Sequence, residues 1–183
     1  MGTVASRLKK LAAAGLPVAP LTLSETDDAA RDAAATFASD ISLRYEGARL
    51  RSATSIKDMD AALTKQRQAL ERARMVGLVD EEPRYWVIQE TPAATLVEID
   101  SRDASTGEAT GGELAAQAEA TLGQPLKLTI AEGKIFDVEA LVLSPRQKFT
   151  ALVDLVETET LTQAQGLAQI SALDLEEMLH PRL

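Results

Sequence analysis

Leu126–Phe149, LKLTIAEGKIFDVEALVLSPRQKF, is the stretch whose reading decides the fold. Leu126, Leu128 and Ile130 alternate with Lys127 and Thr129, the period-2 pattern of a strand with one buried face. Glu132-Gly133 supplies the turn, because glycine accepts positive φ without steric cost. The return strand, Ile135–Leu143, sets Phe136, Val138, Ala140 and Val142 against Asp137 and Glu139. Ser144-Pro145-Arg146-Gln147 then joins an N-cap, a proline at the first helical position and a glutamine three residues after the cap. Strand, turn, strand and capped helix in this order define a fold element and carry no chemistry of their own.

Composition limits what surrounds this element. The 183 residues are enough for one domain with a core, or one domain with an extended arm. Hydrophobic residues make up 45% but aromatics only 3%, so the core must be built from Leu, Val, Ile and Ala. A formal net charge of -9 argues against sequence-independent nucleic-acid binding, which needs clustered Lys and Arg. Without cysteine there is no disulfide, thiolate metal site or cysteine nucleophile. No apolar run approaches the roughly 18 residues of a membrane span, and the start lacks a signal-peptide core.

Before the hairpin, residues 1–22 read as a basic, apolar arm. Val4, Leu8 and Leu11 recur at helical spacing beside Arg7, Lys9 and Lys10, and Pro17 and Pro20 then extend the chain. Met1-Gly2 with Ser6 fits the myristoylation pattern, although one acyl chain binds membranes only marginally. Residues 23–183 are expected to form a single domain. Ser24 is predicted to cap an alanine-rich helix running to Asp40, with Phe37 as its anchor. Ile41–Leu50 reads as a strand, and Ser55 as the cap of a helix from Ile56 to Val76, closed by Gly77. Tyr85–Gln89 and Thr95–Ile99 are predicted to pair around a turn at Thr91-Pro92. Ser101–Gly112 reads as a loop whose glycines lack phosphate-cradling spacing, followed by a helix over Glu113–Leu122.

Beyond the hairpin, Phe149, Leu152, Val153 and Val156 mark one helix face. Thr160 with Gln163, and Ser171 with Asp174, mark two further helix starts. The expected architecture is α+β: a small, mostly antiparallel sheet built from hairpins and packed by several helices, with the N-terminal arm. The ends of the chain are oppositely charged. Acids from Asp154 onward are opposed by one basic residue, Arg182, while residues 1–22 contain no acid.

A search for catalytic groups finds little. The one histidine, His180, is four residues from the end, so nucleophile triads lack a base and zinc sites lack ligands. Carboxylate pairs of the glycosidase kind remain, but those sites also use aromatic platforms that are scarce here. Neither a GxGxxG nor a Walker lysine motif is present. No cofactor, metal, nucleic acid or membrane is expected, and the chain reads as non-enzymatic.

The hairpin Lys127–Leu143 followed by Ser144-Pro145 resembles the small adaptor, completion and assembly proteins of tailed bacteriophages. The resemblance implies a structural subunit of the head-tail or tail region, in a virion or a bacterial cytoplasm. Its partners would be other protein subunits, identical copies in a ring or larger assembly. Arg7, Leu8, Lys9, Lys10, Leu11, Glu176 and Glu177 are the expected contact residues. Two alternatives stand beside it. One is a small regulatory or ligand-binding domain using Tyr85, Trp86 and the basic face Lys65, Arg67, Arg72 and Arg74. The other is a carboxylate-dependent hydrolase.

Overall fold

The structure, a computed structural model, describes residues 4–38, 40–45, 52–54, 58–76 and 85–179. Gly2, Ser55, Gly77, His180, Arg182 and the acidic break 80–83 lie outside the described residues, and with them the expectations placed there. The fold is α+β, with two antiparallel sheets, and divides into two compact units. Unit 1 comprises Met1–Ser6 and Val18–Thr95; unit 2 comprises Arg7–Pro17 and Leu96–Leu183. No helix among the described residues is long and apolar enough to cross a membrane.

The first helix, α1 (Val4–Ala13), occupies much of the stretch read as an arm, and Ala5, Leu8 and Leu11 on it are fully buried. In unit 1, β1 (Leu21–Ser24), β2 (Ile41–Tyr45), β3 (Ser52–Thr54) and β4 (Trp86–Glu90) form a sheet in the order β1-β4-β2-β3. Ser24 is therefore a strand residue opposite Trp86, not the helix cap that its sequence neighbours imply. The cap is Thr26, whose hydroxyl accepts from the Ala29 amide at 3.2 Å, opening α2 (Asp27–Ala34). The long helix, α3 (Met59–Met75), starts after Asp58. Ile41, Leu43, Trp86 and Ile88 from one sheet face pack on Ala30 and Ala34 of α2 and on Met59, Ala62 and Leu63 of α3. The small alanines let α2 approach the sheet closely, which is why an alanine-rich helix with few large side chains can hold here.

The strand expected over Tyr85–Gln89 is present as Trp86–Glu90, but it forms no hairpin with the next one. β4 pairs with β1 and β2, whereas β5 (Val97–Asp100) belongs to the sheet of unit 2. The residues Thr91-Pro92 lead out of β4 toward the strand of the other sheet instead of closing a hairpin turn, because the strand partners of β4 come from far upstream.

In unit 2, β5, β6 (Leu126–Ala131) and β7 (Lys134–Ala140) form a three-stranded antiparallel sheet. The hairpin read from sequence is present, and Gly133 adopts φ +72 in its turn. A bulge between Thr129 and Ile130 shifts the register, so that Ile130 faces Ile135. The outer edge of β7 is engaged by the Pro17 carbonyl, which accepts from the Ile135 amide at 2.7 Å. α4 (Gly112–Leu122) ends at left-handed Gly123 as expected. α5 (Pro145–Glu157) carries the full capping box of Ser144 and Gln147. α6 (Gln163–Leu167) starts two residues later than read, from Thr162 with Gln165. α7 (Ala172–Leu179) begins as expected, Ser171 and Asp174 exchanging amide bonds of 2.7 and 3.1 Å.

Candidate functional site

The unit 1 sheet has two unlike faces. On the face against α2 and α3, Trp86 stacks on Tyr45 with ring centroids 3.6 Å apart, and its indole nitrogen donates to Asp27 at 3.0 Å. Arg67 of α3 donates to the same Asp27 oxygen at 2.6 Å. Burial alone would raise the Asp27 pKa; the hydrogen bonds from Arg67 and Trp86 outweigh it and hold the carboxyl below its ordinary value. Trp86 is 2% exposed, so it anchors the core and offers no stacking platform. The basic side of α3 is drawn partly into this scaffold. Arg67 holds Asp27, and Asp60 at the start of α3 takes Arg31 of α2 at 2.7 Å.

Cross-strand register assigns the opposite face. Arg44 lies opposite Val87 and Ser42 opposite Gln89, while Leu21 and Leu23 of β1 face Gln89 and Val87. Arg44, Val87 and Gln89 are buried, and Arg44 and Gln89 are each engaged by an interaction of their own. A guanidinium and an amide on a strand face shared with Ser42, Leu21, Leu23 and Val87 form a polar site of recognisable kind. A fixed donor fork among apolar side chains suits a planar or anionic ligand. Alternation sets Arg44 and Ser42 against Ile41, Leu43 and Tyr45 along the strand; the burial of Arg44 is the observation that singles it out.

The unit 2 sheet also has a charged face, with Glu98 and Asp100 of β5, Lys127 and Thr129 of β6, and Asp137 and Glu139 of β7 in register. Lys127 holds Glu98 at 3.3 Å, and that contact, together with the charge of Asp100, raises the lysine pKa. Among the described residues no three His, Cys, Asp or Glu side chains converge as a metal cage.

A second buried cluster in unit 2 escaped the sequence reading. Arg102, inside the stretch read as a plain loop, is 3% exposed and lies between Glu119 of α4 and Asp154 of α5. Its Nε donates to Glu119 at 2.7 Å, and Ser101 Oγ donates to the other Glu119 oxygen while accepting from the Leu126 amide at 2.8 Å. Burial disfavours the Arg102 charge, but hydrogen bonds to Glu119 and Asp154 outweigh that cost and raise its pKa. Every group in the cluster is bonded, so it acts as a clamp joining loop, sheet and two helices. No residue in it is left to attack or hold a substrate.

The expected contact residues are scattered. Leu8 and Leu11 are interior, Lys9 and Lys10 are exposed beside them, Arg7 is half-buried with an unpaired Nε, and Glu176 and Glu177 are exposed on α7.

No protein-family model matches this sequence, and no curated protein matches it. Solved structures do match in fold. An ATP-grasp protein with a RimK domain from Sphaerobacter thermophilus aligns over 75% of this chain and 57% of its own, at 18% identity and a TM-score of 0.51. The ATP-grasp ligase PsnB, in complex with precursor peptide PsnA2 and AMPPNP, aligns over 85% of this chain and 57% of its own, at 16% identity and a TM-score of 0.50. The chain is similar in fold to part of these ATP-grasp structures. This overturns the resemblance to tailed-bacteriophage proteins, which rested on one hairpin and a following Ser-Pro, elements that many α+β folds share. The non-enzymatic reading, and with it the viral and virion-assembly role, goes too, because the proteins of like fold are enzymes. This chain spans a little over half the length of the ligases it matches.

Proposed function

We propose that this chain binds a nucleoside triphosphate as part of an ATP-dependent ligase, with the Arg44 face of the unit 1 sheet as its recognition surface. The likeness in fold to ATP-grasp ligases, one of them in complex with AMPPNP, supports the reading. The single observation that carries it to particular residues is the buried guanidinium of Arg44, set with Ser42 and Gln89 on the sheet face opposite the one that packs on α2 and α3. An arginine fork pairs two donors with phosphate oxygens, and neighbouring Leu and Val side chains suit the flat face of a base. The acceptor that such a ligase would join is not assigned, and neither is a general base.

The test is a calorimetric titration of AMPPNP into the full chain and into Arg44→Met. The wild-type chain is expected to bind, and the variant to bind at least about 10-fold more weakly, about 1.4 kcal/mol. The Trp86 emission spectrum of the variant should remain that of the wild type, since Trp86 lies on the other sheet face. Absence of binding by the wild-type chain at about 1 mM nucleotide rejects the proposal. Equal binding by both proteins rejects the assignment to Arg44.

A further inference from the structure

The C-terminal helices carry an apolar groove of about 370 Å³ that the reading above does not use. Its walls are Phe149, Val153 and Val156 of α5, with Leu167 of α6 and Ile170 beyond it, and Glu157 stands at its rim. Phe149, Val153 and Leu167 are 42%, 39% and 67% exposed, a grouping of large apolar surface that isolated soluble domains rarely leave open. The sequence placed Phe149, Leu152, Val153 and Val156 on one helix face. The structure divides them: Leu152 packs inward with Leu155 and Leu161, while Phe149 and Val153 open outward.

Charge decides what fits. From Phe149 to Leu179 the sequence contains six acids and no Lys, Arg or His. Asp154 is held by Arg102 and Asp174 by Lys148. Glu157, Glu159, Glu176 and Glu177 have no ion-pair partner among the described residues. The groove is therefore apolar in its floor with Glu157 as the charged residue of its lining; α5 opens with Arg146 and with Lys148, which Asp174 engages, and from Phe149 to Leu179 the charge is negative alone. A second copy presenting the same face would bring like charges together, and its basic helix α1 is not available, because Leu8 and Leu11 are spent in the interior. An anionic membrane surface is repelled for the same reason.

Length sets the shape of the occupant. Phe149, Val153 and Val156 recur at i, i+4 and i+7 along α5, about 10 Å of helix rise. That matches two turns of a helix laid into the groove with large apolar side chains at the same spacing. We infer that the α5–α6 groove is a docking site for a cationic amphipathic helix of a partner polypeptide. The groove takes the apolar stripe of that helix, and Glu157 with the neighbouring carboxylates takes its Lys or Arg residues. The inference stands on the groove alone and does not depend on nucleotide binding.

The experiment is fluorescence anisotropy on the full chain with a labelled 14-residue helical peptide, Leu on one face and Lys on the other. Two controls are a scrambled peptide of the same composition and an acidic version with Glu in place of Lys. The cationic amphipathic peptide is expected to bind at least about 10-fold more tightly than either control, and less tightly as salt rises. Val153→Asp should abolish binding, and Glu157→Lys should weaken it several-fold, with helical circular dichroism unchanged in both. Equal binding of the scrambled peptide, tighter binding of the acidic one, no binding at all, or no effect of Val153→Asp overturns the inference. Concentration-dependent self-association that Val153→Asp removes would place a second copy in the groove and overturn it as well.

Discussion

Replacing Arg102 by Met tests the physics of unit 2 most sharply. The side chain is 3% exposed, and its removal leaves Glu119, also 3% exposed, as a buried carboxylate whose remaining side-chain partner is Ser101. Breaking a buried pair by deleting one partner typically costs about 3–5 kcal/mol, because the other charge stays desolvated. Asp154 is 45% exposed at its side chain and can return to water, so its loss adds little. At a typical urea slope of about 2 kcal/mol per molar, the midpoint of unfolding followed by far-UV circular dichroism should fall by about 2 M. The double variant Arg102→Met with Glu119→Leu removes both charges and should recover most of the loss, since an apolar replacement of a buried pair is often close to neutral. A midpoint within about 0.3 M of wild type for Arg102→Met would refute the reasoning. So would a double variant whose loss equals the sum of the two singles.

Gly107 adopts φ +80, and a Cβ there would lie 2.5 Å from the Gln147 carbonyl oxygen; Gly107→Ala should cost about 2–3 kcal/mol in thermal or urea unfolding. Gly15 has a similar φ of +84 but open space around it, so Gly15→Ala should cost only about 1 kcal/mol, and equal losses would contradict the packing argument. Leu43→Ala opens a cavity in the unit 1 core and should cost about 2–5 kcal/mol, read by the Trp86 emission as that unit unfolds. Asp174 is held at a pKa of about 2, below the ordinary 3.8, by the hydrogen bond from Lys148 and by those from Ser171. Its folded pKa is depressed, so the stability it gives α7 is complete above about pH 4 and is lost as pH falls toward about 2. Asp174→Asn should remove that acid transition, about 1 kcal/mol at most for a partly exposed pair, in hydrogen exchange of α7.

Local chemistry was legible in the sequence wherever it was sufficient by itself. The hairpin of β6 and β7, the Ser144–Gln147 box, the Gly123 stop and the Ser171–Asp174 start all follow from residues within a few positions of one another. Ser24 and the Thr91-Pro92 connection failed for the opposite reason. Ser24 has the chemistry of a cap but pairs with Trp86, 62 positions away in the numbering, and that pairing sets its conformation. The division into two sheets was invisible because each short strand reads alike whatever its partner. Arg44 and Arg102 look like ordinary surface arginines in one dimension. Only burial, which depends on residues from distant segments, sets both apart from solvated arginines, and its ion pairs make the second a clamp. The phage resemblance rested on a motif set by turn and cap chemistry, and such a motif carries no information about activity.

Backbone nitrogen–proton correlation spectra of the 19.6 kDa chain, recorded during a titration with AMPPNP, test the central claim most directly. Resonances of Ser42, Arg44, Val87 and Gln89 are expected to move first, with those of α5, α6 and α7 staying in place. Unchanged spectra at saturating nucleotide, or shifts confined to the C-terminal helices, would contradict it.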